Sequence, residues 1–213
     1  MYDIGRLSQN IAERISQELN FESDKKEVIE YGIFAILQII LSIISVLIIG
    51  AFLNVMLESF ITTITIALLR KYSGGAHASS PTRCTFIGTI ISVAIPLMLK
   101  NVNDLNIVGI IVFLSFILSY YLVYKLAPVD SIFKPIKKEE KIKRLKKGSI
   151  IIVSIYLCLV LGNLIIYIST SYDKFIKYSL CICGGMMWQV ISLTKLGHKL
   201  IYIIETFINK FKK

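Results

Sequence analysis

The chain has 213 residues, 55% of them hydrophobic, and a formal net charge of +10. Its apolar residues come in blocks that are apolar on every side, so a soluble domain of this length is excluded: helices of that kind have no polar face to present to water. Composition and pattern place the chain among integral membrane proteins. Nucleic-acid binding is excluded as the use of the positive charge, because no aromatic-interleaved basic fold accompanies it.

In chain order, the first element is an amphipathic stretch. Ile4, Leu7, Ile11, Ile15 and Leu19 recur every three or four residues, with Arg6, Gln9, Glu13 and Arg14 elsewhere, which predicts a helix lying in the bilayer interface. No secretory signal is read here, since Asp3, Arg6, Glu13 and Arg14 take the place of a compact apolar core and a small-residue cleavage site. The first spanning segment is therefore expected to be retained. Stretches of about 20 apolar residues then fall at 33–53, 105–124, 149–168 and 175–194. Two shorter ones, 55–69 and 85–99, hold about 15 residues each, roughly 22 Å of helix against about 30 Å of hydrocarbon. Segment 55–69 also carries Glu58, Thr62, Thr63 and Thr65, so it must face a partner or water. A second amphipathic pattern, Leu196, Leu200, Ile203, Phe207 and Phe211 with Lys199, Lys210, Lys212 and Lys213 on other faces, ends the chain. The expected fold is all-α: a polytopic membrane protein of about six transmembrane helices, two of them short, with interfacial helices at both ends and a single domain over 1–213.

Charge sets the expected orientation. With six spans and a cytoplasmic N-terminus, 21 Lys and Arg residues fall on the inner side and only Lys100, Lys174 and Lys177 on the outer side. That is the asymmetry of the positive-inside rule. Both termini and the segment 70–84 are thus expected at the cytoplasmic face of a cell membrane.

Chemistry concentrates in 70–84, "RKYSGGAHASSPTRC". Ser80 followed by Pro81 reads as a helix N-cap and first helical residue. Cys84 then stands in the first turn of the next span, beside Arg83, where backbone N–H groups and the helix dipole favour a thiolate and offer donors to an oxyanion. Gly74 and Gly75 let the chain turn back, including at positive φ. They allow His77, which Pro81 keeps out of one continuous helix with Cys84, to approach from a loop. Cys84 and His77 are the candidate nucleophile and base, the one pairing in the chain suited to acyl transfer. The competing sites are weaker. His198 lies in the C-terminal amphipathic stretch, and neither H-E-x-x-H nor G-x-S-x-G occurs. Cys158, Cys181 and Cys183 fall inside spans and read as small hydrophobes. Cys181 and Cys183 point to different helix faces, so no metal site and no cofactor are expected. Glu58 and Asp130 either polarise His77 or cap and hydrogen-bond at the membrane boundary.

The run 70–84, followed by "LAPVDSIFKPI" (126–136) and a lysine-rich stretch, resembles the accessory gene regulator protein B (AgrB) family, membrane endopeptidases of Gram-positive quorum sensing. The likeness extends to length, order of spans and basic loops. Ala76 departs from it, standing where many members carry an aromatic residue. The resemblance implies a cysteine endopeptidase acting on an AgrD-type propeptide at the inner leaflet. His77 would activate Cys84, the charged C-terminal tail would leave, and the acyl-enzyme thioester would be captured by a cysteine or serine of the peptide to give a thiolactone or lactone. Arg70 and Gly75 match motif positions and are implied in charge and loop geometry; a homodimer is what the family suggests.

The basic segment 134–147, including Lys137 and Lys138, serves either an acidic peptide tail or topology alone. A non-enzymatic peptide exporter or channel is the alternative function. It would line a path with Glu58 and the threonines.

Overall fold

A computed structural model of the chain describes residues 4–76, 78–130 and 138–210, for 208–210 the backbone alone. Among the described residues there are eight helices and no strand: α1 (Ile4–Glu18), α2 (Ser23–Phe52), α3 (Met56–Ser73), α4 (Pro81–Leu99), α5 (Leu105–Leu126), α6 (Glu139–Thr170), α7 (Lys174–Ile191) and α8 (Lys195–Lys210). The all-α membrane architecture expected from the sequence is thereby met, and each of the six apolar segments is helical. Four helices, α2, α4, α5 and α6, are long and apolar enough to cross a membrane, and α7 with α8, bent by 94°, makes a fifth if the pair is one span. The protein is thus multi-pass, and six is an approximate count. The second apolar segment, α3, falls short because its 18 residues include Glu58, Arg70 and Lys71. The third reaches spanning length because its cap lies further upstream than the apolar run shows: α4 starts at Pro81 and not at Thr85.

Contacts divide the chain into two compact units, Met1–Ser45 and Val46–Lys213. In the first, α1 and the start of α2 are tied by Lys26 Nζ, which donates to Glu13 Oε1 at 3.2 Å. The buried positions of α1 are its small residues Ser8, Ala12 and Ser16. Leu7 and Leu19 stand exposed, as an interfacial helix requires.

The second unit is built around α7, which packs against α3, α4, α5 and α6. The reason lies in its sequence. Gly184 and Gly185 leave α7 without side chains on two adjoining faces; a Cβ at Gly185 would lie 3.0 Å from the Thr62 carbonyl oxygen of α3, and one at Gly184 would meet Ile95 of α4. Small residues let helix backbones approach closely, the main source of cohesion where lipid removes any hydrophobic drive between helices. The face that α3 buries is correspondingly small and polar: Ser59, Thr62, Thr65, Leu69 and Ser73. The three threonines of α3 turn their hydroxyls onto their own helix, Thr62 to the Glu58 carbonyl, Thr63 to Ser59 and Thr65 to Ile61, at 2.8–2.9 Å. From α6, the Tyr156 hydroxyl donates to the Thr65 carbonyl at 2.8 Å. Ile, Leu and Phe side chains exposed along α5 and α6 are the surface left to lipid.

This packing makes one substitution diagnostic. Gly185→Val would force α3 and α7 apart, with a loss of about 1–3 kcal/mol as for other overpacked interiors, whereas Gly162→Ala, which meets nothing within 4 Å, should be neutral. Thermal unfolding in detergent should show a lowered Tm for the first and an unchanged one for the second.

Candidate active site

The start of α4 is built as its sequence dictates. Ser80 is in extended conformation (φ −143°, ψ 153°), its Oγ accepts the Arg83 N–H at 3.3 Å, and Pro81 opens the helix. Cys84 N–H closes the first turn onto the Ser80 carbonyl at 3.0 Å. Cys84 therefore stands at the positive end of a 19-residue helix, in a partly accessible position. The first-turn amides are less open than the sequence implies: those of Arg83 and Cys84 are both engaged within the cap, so neither is ready to cradle an oxyanion.

Upstream of Cys84, the loop leaving α3 is held on three sides. Gly74 (φ +68°) and Gly75 (φ +132°) both take the positive φ that the sequence predicts. On one side lies the cis-proline stretch 127–130: Val129 N–H donates to the Ser73 carbonyl at 2.8 Å, and Gly74 pairs with Val129 in a parallel bridge. On a second side is the end of α7, where Gln189 Nε2 donates to the Gly74 carbonyl at 2.7 Å and to Ser73 Oγ at 3.1 Å. The carbonyl of Ser192 accepts the Ala76 N–H at 3.0 Å. On the third, the Arg70 guanidinium donates to the Ala76 carbonyl, one residue before His77. No room remains for side chains on the glycines: a Cβ at Gly74 would fall on the Val129 carbonyl, and one at Gly75 would stand 2.5 Å from Ser192 Oγ and 3.2 Å from Gln189 Nε2.

Of the residues singled out from the sequence, Arg70 and Gly75 thus belong to one hydrogen-bonded loop that leads into the helix bearing Cys84. His77 and Lys137 lie outside the described residues. Lys138 is the exposed N-cap of α6. Among the described residues no hydrogen bond or ion pair joins it to Arg70, Gly75 or Cys84. Glu58 is in the first turn of α3 while Arg70 is in the last, a separation of about 18 Å along the axis. It lines a cavity of about 270 Å³ with Lys100, Lys177 and Cys181, at the end of α3 away from Arg70. Asp130 is exposed at the end of the 127–130 stretch. Cys181 and Cys183 are buried, Cys158 is exposed, and no cluster able to hold a metal occurs among the described residues.

Two residues that hold the loop are not marked by the sequence patterns. Gln189 carries a visible signal, a lone amide in an apolar span, since polar side chains at membrane depth usually have an assignment. Ser192 acts through its main-chain carbonyl, which no side-chain pattern reveals. The Gln189 side chain is 0% exposed, and its loss would strand two acceptors at a cost of about 1–3 kcal/mol each if they stay buried. Gln189→Leu should therefore raise amide hydrogen exchange across 73–76 by about tenfold or more, read by mass spectrometry on the membrane-embedded protein. Unchanged protection there would show that the amide does not hold the loop.

Comparison with known proteins supplies the identity. Residues 8–193 match the Accessory gene regulator B (AgrB) family. The chain is 42% identical to an AgrB-like protein of Clostridium perfringens strain SM101, covering 97% of this chain and 99% of that one, and equally so to AgrB-like protein 2 of C. perfringens strain 13. With an AgrB-like protein of Listeria innocua it shares 26% identity over 92% of this chain and 90% of the other. No solved structure matches it. With its apolar helices, its glycine-led loop ahead of Cys84 and these relatives along nearly its whole length, the chain belongs to the AgrB family.

Proposed function

We propose that this protein is a membrane-embedded cysteine endopeptidase that removes the C-terminal tail of an AgrD-type propeptide and so prepares an autoinducing peptide for quorum sensing. Family membership supports a role in the agr system. The observation that carries the chemistry is the immobilised loop: a segment with its backbone held by Arg70, Val129, Gln189 and Ser192 delivers the chain to a cysteine in the first turn of a helix. Catalysis by positioned groups needs such fixation, because misplacement by about 1 Å can cost about 100-fold in rate.

In this reading His77 takes the proton from Cys84 Sγ, and the thiolate attacks the carbonyl carbon at the propeptide's cleavage point. The tetrahedral intermediate collapses with rupture of the C–N bond. His77 returns its proton to the departing amine, and the tail leaves. What remains is a thioester between Cys84 and the leader portion of the peptide. A cysteine thiol of that portion then attacks the same carbonyl, forms the thiolactone ring and releases Cys84 as a thiol; a serine hydroxyl would give a lactone. Thioester exchange is nearly balanced in energy, so departure of the tail helps to drive closure. The charge asymmetry supports a cytoplasmic position for the loop and both termini.

The exporter reading is disfavoured by packing. The threonines that would line a path are back-bonded to their own helix, and α3 closes against α7 through Gly185. The test is purified protein in liposomes with the synthetic propeptide of its own locus, followed by mass spectrometry for tail release and for a thioester at Cys84. Cys84→Ala and His77→Ala should abolish both at unchanged abundance. Arg70→Gln should slow tail release by about 10- to 100-fold through displacement of the loop. Full peptide maturation by Cys84→Ala would sink the assignment.

A further inference from the structure

The C-terminal amphipathic helix reads from its sequence as an anchor, yet α8 reaches the reactive segment. The Glu205 side chain, 13% exposed, brings Oε1 to 2.7 Å from the Ser79 N–H and 2.8 Å from Ser79 Oγ. Arg83, next to Cys84, donates from Nη1 to Ser79 Oγ at 2.8 Å and stands 3.8 Å from the same carboxylate oxygen. Beside this polar contact Ile201 and Ile204 of α8 pack with Ala76, Ala78, Ile87 and Ile91, residues of the loop and of α4. The face of α8 that carries Leu196, Ile203 and Phe207 stays exposed.

The direction of α8 is set by the elements that hold the loop. The bend after α7 passes through Ser192, whose carbonyl receives the Ala76 N–H. It is closed by Thr194 Oγ1, which accepts the Gly197 N–H at 3.2 Å. Gly197 is pressed so close to Ile191 and Ser192 that a Cβ there would overlap their backbone. The corner therefore grips both ends of the segment: its near end at Ser73, Gly74 and Ala76 through α7, and its far end at Ser79 and Arg83 through α8.

We propose that Glu205 is a positioning residue for the segment that carries His77 and Cys84, and that α8, with its exposed apolar face in the membrane surface, is a structural part of the active site. The proposal rests on the peptidase reading above. A carboxylate suits the place because it takes two hydrogen bonds from one residue while its charge faces Arg83, and hydrogen bonds to a charged group are the stronger kind. The residue lies beyond the stretch that matches the family, 8–193.

The test compares the wild type, Glu205→Gln, Glu205→Ala and the neighbouring Thr206→Ala in liposomes. Thr206 is exposed and its hydroxyl donates to the Tyr202 carbonyl of its own helix, so it serves as the control. Thioester formation at saturating synthetic propeptide should fall by roughly 3- to 10-fold in Glu205→Gln, which keeps an acceptor oxygen, and by about 30- to 100-fold in Glu205→Ala. The half-saturating peptide concentration, the Tm and the Thr206→Ala rate should stay unchanged. A second readout needs no substrate: the Ser79 amide should exchange about tenfold faster in Glu205→Ala than in the wild type. If Glu205→Ala is destabilised, Glu205→Gln and Ser79→Ala carry the comparison. An active wild type whose Glu205 variants match it in rate and in Ser79 protection overturns the proposal. A wild type that never forms a thioester overturns the peptidase reading instead, and the Ser79 exchange then decides the contact by itself.

Discussion

A peptide group at the edge of a bilayer has little water to bond with, so a tight glycine turn there must be satisfied by the protein itself. The loop that follows α3 meets that demand with four bonds, from Val129 N–H to the Ser73 carbonyl, from Gln189 to Gly74, from Ala76 N–H to Ser192 and from Arg70 to Ala76. Much of the second unit can be understood as support for these contacts. α7 has to run through the middle of the helices so that its C-terminal end presents Gln189 and Ser192. The stretch 127–130 after α5 has to run beside Ser73 and Gly74 with Val129 in pairing position. The likeness between the "APVD" run and the glycine run as joint signatures has a physical basis here: the two segments are bonded to one another.

Close backbone approach is also what makes α7 central. Gly184 faces α4 and Gly185 faces α3, so two neighbours approach on adjoining sides of the same turn. The cost of burying serines and threonines against them is limited because their hydroxyls return to carbonyls of their own helix, an arrangement that keeps polar side chains compatible with an apolar medium. Such a seam is closed to a passing peptide. It separates the cavity near Glu58, Lys100 and Lys177 from the end of α4 that carries Cys84. The glycine loop and Cys84 lie together at the other end of that seam.

Periodicity and local grammar carried the sequence reading a long way. Apolar runs marked each spanning element, Ser80–Pro81 marked the start of α4, and the paired glycines marked a turn at positive φ, because in each case the cause is local in the chain. The failures have non-local causes. The helical face that α3 turns inward is polar, which a hydropathy profile reads as a weak span and cannot read as a packing surface for the glycines of α7. Its short length with Glu58, Arg70 and Lys71 is why a count of six is approximate. Gln189 is 115 residues from the carbonyl it serves and Glu205 is 126 residues from Ser79. Only the fold brings them there. In α8 the apolar spacing was legible, but the residues that pack inward, Ile201 and Ile204, flank the predicted stripe and do not coincide with it.

The glycines of the loop invite interpretation as a hinge, since glycine is the residue with the widest backbone freedom. The geometry argues for the opposite. Both positions are required by what lies against them: the Val129 carbonyl at Gly74, and the Gln189 amide and Ser192 hydroxyl at Gly75. Freedom in the unfolded chain is lost on folding, and it is offset by bonds that a side chain at either position would prevent. Ser73, Gly75 and Ala76 are buried, so the segment is seated in the protein and is not a flap above it. The proposed peptidase chemistry would draw on that kind of seat, because at close range a rate depends on where the reacting atoms are held. The glycines of this family signature act through the absence of a Cβ, and the rigidity of the reactive loop comes from the groups that occupy the vacated space.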